Sequence, residues 1–157
     1  MDITLTYTDL AATVKRTQSI IAKRSVDDNG NLLFKDVTLG TLEEPILADF
    51  FKDAAIQLKT KTQHFVSATD GTTVTLTFPD NRTTANGTTL KDAFEAYCVA
   101  YALYSWFLIV APRIAPKYLD DANRHLSEVV RLSYYKAPPA TSAADYTDVT
   151  GGIQETE

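Results

Sequence analysis

Two histidines, one cysteine and a few serines are the side chains from which a catalyst or a metal site would have to be built, and their spacing builds neither. His64 and His125 stand far apart, and neither has a second His or Cys at ligand spacing, so no zinc-type site is indicated. His125 and Glu128 form an i, i+3 pair on a predicted helix, but they lack the Glu-x-x-His order, repeated on a second helix, that di-iron bundles use. The pair reads as a surface salt bridge. Asp120 and Asp121 are sequence neighbours, which point in different directions on a helix, so they favour its positive start instead of sharing a proton. Ser105 and Ser133 have no flanking glycines and no companion base to activate them. Cys98 lies in the most apolar stretch and reads as a small buried hydrophobe. There is no glycine-rich phosphate loop, nucleophile elbow or kinase signature. The expectation is a protein that is not an enzyme, with no catalytic, cofactor-binding or metal-binding residues.

The side chains suited to contact lie elsewhere. Tyr134 and Tyr135 close the last predicted helix, and Tyr146, Val149 and Ile153 are the only large apolar residues after it. Aromatic residues carry much of the energy at the centres of interfaces, so the tyrosines are candidate anchors. Local packing over the helix end is an equal reading for Tyr134 and Tyr135. Asp145 and Asp148 would meet basic groups on a partner, or else remain solvated. Lys15-Arg16 and Lys23-Arg24 make a modest basic patch, read first as a solvated face and second as a contact for an acidic partner or for DNA.

The bulk numbers fit a contact protein. A chain of 157 residues with 45% hydrophobic and 22% charged residues is long enough for a real core and too apolar for global disorder. One domain is expected over residues 1–136, with a flexible acidic tail over 137–157. The net charge of -5 is unevenly placed. Residues 137–157 carry Asp145, Asp148, Glu155 and Glu157 and no Lys or Arg, and the rest is near neutral with 15 basic and 16 acidic groups. That balance argues against a basic nucleic-acid groove as the main activity. A single cysteine allows no intramolecular disulfide. The opening MDITLTYTDL lacks the pattern of a signal peptide, so the glycosylation-type triplets at Asn81 and Asn86 read as turn chemistry. Between Glu95 and Arg113 run 17 uncharged residues, including three tyrosines and Ser105. A membrane span needs about 20 apolar residues, so the stretch is read as the buried helix of a soluble fold, with no membrane partner. Tyr97, Tyr101 and Tyr104 fall on one face of it.

These features need elements to hold them. Ile3, Leu5 and Tyr7 alternate with polar residues as in a short extended segment. A helix follows, capped by Thr6 with Asp9, and its inner stripe is Leu10, Val14, Thr17 and Ile21. Residues 25–31 form a loop, and 32–39 offer a brief strand. A second helix over about 44–63 starts with Thr41 and Glu44 as a capping pair and Pro45 in its first turn. Its apolar face is Ile46, Leu47, Phe50, Phe51, Ala54 and Leu58. A β-hairpin is expected at about 64–79, with arms 65–68 and 73–78 around the Asp70-Gly71 turn. A lone hairpin is marginal in water, so it must pack on a helix or be completed by another chain. After a loop over 81–87, Thr89 and Asp92 cap a third helix that runs to about residue 111, where Pro112 and Pro116 break it. A fourth helix covers about 117–136, with a seam of Leu119, Ala122, Leu126, Val129 and Ser133 and an Asp120–Arg124 pair. Pro138-Pro139 ends it. The fold class is therefore mainly α: a small bundle of about four helices with one β-hairpin and an extended C-terminal tail. The tail is read as disordered alone and able to dock on a partner.

In this order, and in the segments EPILADFFKDAAIQLKTKTQ at 44–63, the apolar helix at 97–111 and LSYYKAPP at 132–139, the chain resembles the head–tail connector, or adaptor, proteins of tailed bacteriophages. The resemblance covers most of the chain in layout. It implies a structural virion protein at the neck, assembled in the host cytoplasm as a ring of identical subunits between portal and tail. Its partners would be the portal protein and an adjacent neck or tail protein, with non-specific DNA contact in the lumen. The acidic balance departs from DNA contact and favours protein partners. The tail segment with Tyr134, Tyr135, Asp145, Tyr146, Asp148, Val149 and Ile153 would then be the partner-binding element. The alternatives are a tail terminator or other virion ring protein, and a monomeric helical regulatory or binding module.

Overall fold

The computed structural model describes residues 2–24, 44–62, 71–77 and 87–134. The elements run β1 (Asp2–Thr6), α1 (Tyr7–Arg24), α2 (Glu44–Thr62), β2 (Thr73–Thr77), α3 (Gly87–Val110) and α4 (Ala115–Ser133). The chain is mainly α with a two-stranded antiparallel sheet, as its residues indicate. The predicted loop at 25–31, strand at 32–39, hairpin arm at 65–68 and tail at 137–157 lie outside the described residues.

The sheet is assembled non-locally. Among the described residues, β2 pairs with β1, with Ile3 opposite Leu76 and Leu5 opposite Val74. All four side chains are buried, which fixes the register, because a slip of one residue would turn every one of them to solvent. On the other face the Thr4 and Thr75 hydroxyls share a hydrogen bond of 3.1 Å. The Tyr7 amide extends the pairing by donating to the Thr72 carbonyl at 2.8 Å. Gly71, just before β2, has φ +89, a left-handed conformation that favours glycine. The partner that β2 requires is thus supplied within the chain by the N-terminal strand.

α1 starts where the sequence places it. The Thr6 Oγ accepts the Asp9 amide at 3.3 Å and donates to the Asp9 carboxylate at 2.6 Å, a reciprocal cap. Its inward stripe is Leu10, Val14 and Gln18, not Thr17: the Thr17 hydroxyl donates to the Thr13 carbonyl and the side chain is half-buried. α2 buries Leu47, Phe51, Ala54, Ala55 and Leu58, whereas Ile46, expected on that face, is exposed at its first turn. Lys59 and Lys61 in the last turn of α2 complement the negative end of the helix dipole.

α3 is the hub. It packs against α1, α2, α4 and β1, and eleven of its residues are buried, from Leu90 to Phe107. A helix covered on several sides needs no polar face, which is why its sequence carries so little amphipathic signal. By length and composition α3 could also cross a membrane; in the folded chain half of that apolar window is buried. The helix begins at Gly87, so Thr89 lies within its first turn and not at the cap. α3 and α4 are joined by residues 111–114, and this short link makes them antiparallel neighbours with the most extensive packing in the fold. Pro116 does not separate the helices; it sits in the first turn of α4, where its missing N–H is not needed. Of the expected α4 seam, Ala122, Val129 and Ser133 are buried and Leu119 and Leu126 are half-buried; Ala115, Tyr118 and Leu132 widen it on one side.

Candidate interaction surface

The side chains with chemical potential are placed so as to suppress it. The Cys98 thiol is fully buried, and burial first, then the nearby Glu95 charge, pushes its pKa far above the ordinary value. It is therefore a protonated packing group and not a nucleophile. Tyr97 is buried and donates to the Ala54 carbonyl at 3.1 Å, tying α3 to α2. Desolvation, reinforced by Cys98 and Tyr101, raises its pKa strongly. Tyr101 and Tyr104 continue the row, with successive ring centroids 6.1 Å apart. Burial and the Asp53 carboxylate raise Tyr101 as well. The three tyrosines share one face as their spacing predicts.

On α4, the charged pairs differ from those the sequence offers. Arg124 reaches Asp121, its i, i+3 neighbour, at 3.0 Å, and not Asp120, its i, i+4 neighbour. Glu128 accepts from Arg131 at 3.4 Å, so its carboxylate is engaged toward the helix end and not back toward His125. The Ser133 hydroxyl donates to the Val130 carbonyl at 2.7 Å within the helix, which leaves it in a structural role. His64 lies outside the described residues. Among the described residues, no three His, Cys, Asp or Glu side chains converge as a metal would require.

Two hollows lie among the described residues. One of ≈ 400 Å³ lies between α1, α2 and the start of β2, lined by Tyr7, Ala11, Ala12, Ala48 and Thr72 with the Lys15 ammonium at its rim. The other, of ≈ 260 Å³, lies where β1 meets α1 and α3 and carries Asp9, Lys91 and Glu95. Asp9 is already committed to the Thr6 cap. Thr6 also lines the second hollow, and its hydroxyl–carboxylate contact with Asp9 is the one that caps α1.

The exposed apolar residues form the stronger feature. Leu108 and Ile109, expected to be buried with the rest of the apolar stretch, are 52% and 64% exposed. They sit in the last turn of α3, next to Phe107, which stacks on Tyr118 with ring centroids 5.0 Å apart. Val110, Ala111 and Ile114, further along the chain, still pack against the core, so Leu108 and Ile109 are exposed because they face away from it. Tyr134, the one candidate anchor among the described residues, caps the C-terminus of α4 and is 48% exposed. Its own amide donates to the Val130 carbonyl at 3.3 Å, so the backbone is fixed while half of the ring faces solvent. At 1.5 Å per residue, Tyr134 stands about 30 Å from the α3–α4 link. The hairpin therefore presents apolar groups at both ends. Tyr135, Asp145, Tyr146, Asp148, Val149 and Ile153 lie outside the described residues. No protein-family model, curated protein or solved structure matches this chain.

Proposed function

We propose that this chain is a structural subunit of a tailed-phage neck, a head–tail connector or adaptor that forms a ring between portal and tail. The observation that carries the reading is the pair of exposed apolar ends on the α3–α4 hairpin, Leu108 with Ile109 at one and Tyr134 at the other. A ring of identical subunits needs two different surfaces on each copy that fit each other head to tail, and a rod with two unlike ends supplies such surfaces. The acidic segment 137–157 follows Tyr134, and its carboxylates suit a basic protein surface better than DNA. The order of elements and the apolar hub helix also support the reading. A tail terminator would use the same geometry at another ring of the virion.

The test is removal of residues 137–157. The shortened chain is expected to keep its helical circular dichroism while losing assembly, measured by sedimentation velocity beside the full chain. Unchanged assembly after the deletion would remove the acidic segment from the interface.

A further inference from the structure

α1 carries a face that the bundle leaves outward. Leu10, Val14 and Gln18 turn inward, and Arg16, Ser19 and Ile20 lie exposed on the opposite side of the same turns. Ile20 is 47% exposed, four positions after Arg16 and three before Lys23. That spacing aligns these helix positions along one side. Residues 10–24 hold four cations, Lys15, Arg16, Lys23 and Arg24, and no acid. Segment 137–157 holds four carboxylates and no cation, with Tyr146, Val149 and Ile153 interspersed. The two stretches are complementary in sign and in having apolar groups among the charges, with the Arg16 and Lys23 positions on the same side as Ile20 and Lys15 turned toward the hollow by α2.

We propose that segment 137–157 docks on the outward face of α1 in its own chain, with its carboxylates on the basic positions and an apolar residue over Ile20. Reach is sufficient. The 23 residues from 135 to 157 span up to about 75 Å when extended, roughly twice the length of α3. Being tethered, the segment meets α1 at an effective concentration of order millimolar, which a second copy matches only in concentrated solution. Ion pairs at an exposed face are individually weak and salt-sensitive, so the contact is one that a stronger partner can displace. It forms in the isolated chain and does not depend on ring assembly.

A nitroxide on the full chain carrying Thr150→Cys tests this, because the fully buried Cys98 escapes labelling. Amide signals of α1 from Arg16 to Ile20 are expected to lose intensity while those along α4 keep theirs. The loss should be independent of protein concentration. It should vanish at about 1 M salt, where screening acts within about 3 Å, and in the doubly substituted Arg16→Glu, Ile20→Ser chain. The salt arm stands even if that variant folds poorly. Equal or absent loss across the helices would overturn the proposal, as would a loss that survives salt and substitution. Broadening of unlabelled, isotope-enriched chains in a mixed sample would also overturn it, by assigning the site to a second copy.

Discussion

α3 and α4 are neighbours joined by four residues, yet they are held in opposite ways. α3 has no charged residue after Glu95 and packs against four other elements. α4 is amphipathic, buries one seam against its neighbours and lines its outer side with short-range pairs such as Arg124–Asp121 and Arg131–Glu128. The difference teaches where stability and where adaptability reside. A helix packed on several sides fixes the fold, and a helix packed on one side leaves its surface and its end free for contact.

The comparison breaks most visibly in the core. Phe94→Ala in α3 removes a fully buried ring and is expected to cost about 3–5 kcal/mol, measured by urea unfolding. Leu126→Ala on α4, at a half-buried position, should cost markedly less. Equal losses would mean that α4 contributes as much to the core as α3.

Alkaline pH sharpens the same contrast. Cys98 and Tyr97 have raised pKa values in the fold, so the unfolded chain loses their protons first as pH rises. Unfolded chains then bind fewer protons than folded ones, and stability must fall with pH. Their contribution is intact below the ordinary thiol value of 9.0, and it declines above it and further past the ordinary phenol value of 10.0. Tyr97→Phe is expected to flatten the upper part of that decline while costing about 1 kcal/mol at neutral pH for the lost bond to Ala54. An unchanged alkaline slope would show that Tyr97 ionises as freely in the fold as outside it.

The smallest effect belongs to the outer side of α4. Arg124→Ala breaks an exposed pair and should change stability by less than about 1 kcal/mol in thermal unfolding. A larger loss would show that the outer side of α4 is structural and not a spare surface.

The same contrast explains what the sequence discloses. Capping at Thr6, the tyrosine row on α3 and the four-helix order are local patterns, and they are legible because each depends on residues within a turn or two. The sheet partner of β2 is separated from it by some seventy residues, and alternation alone does not say which strand another will meet. The apolar run from 96 to 112, most of it in α3, has no charged residue, so it gives no sign that Leu108 and Ile109 face away from the core. The burial of Tyr118 beside the expected α4 seam goes with its stacking on Phe107, a contact between helices that periodicity within one of them does not contain. Of the candidate contact residues, Tyr134 alone is described, and what the sequence discloses of it is its place at the end of α4 ahead of a proline pair.

Sedimentation velocity of the full chain across a wide concentration range tests most directly whether this is a ring-forming subunit. Discrete closed species whose sedimentation coefficient stays constant as their population grows are the expected result. A monomer of 17.3 kDa at every concentration, or an open-ended series of sizes, would contradict it.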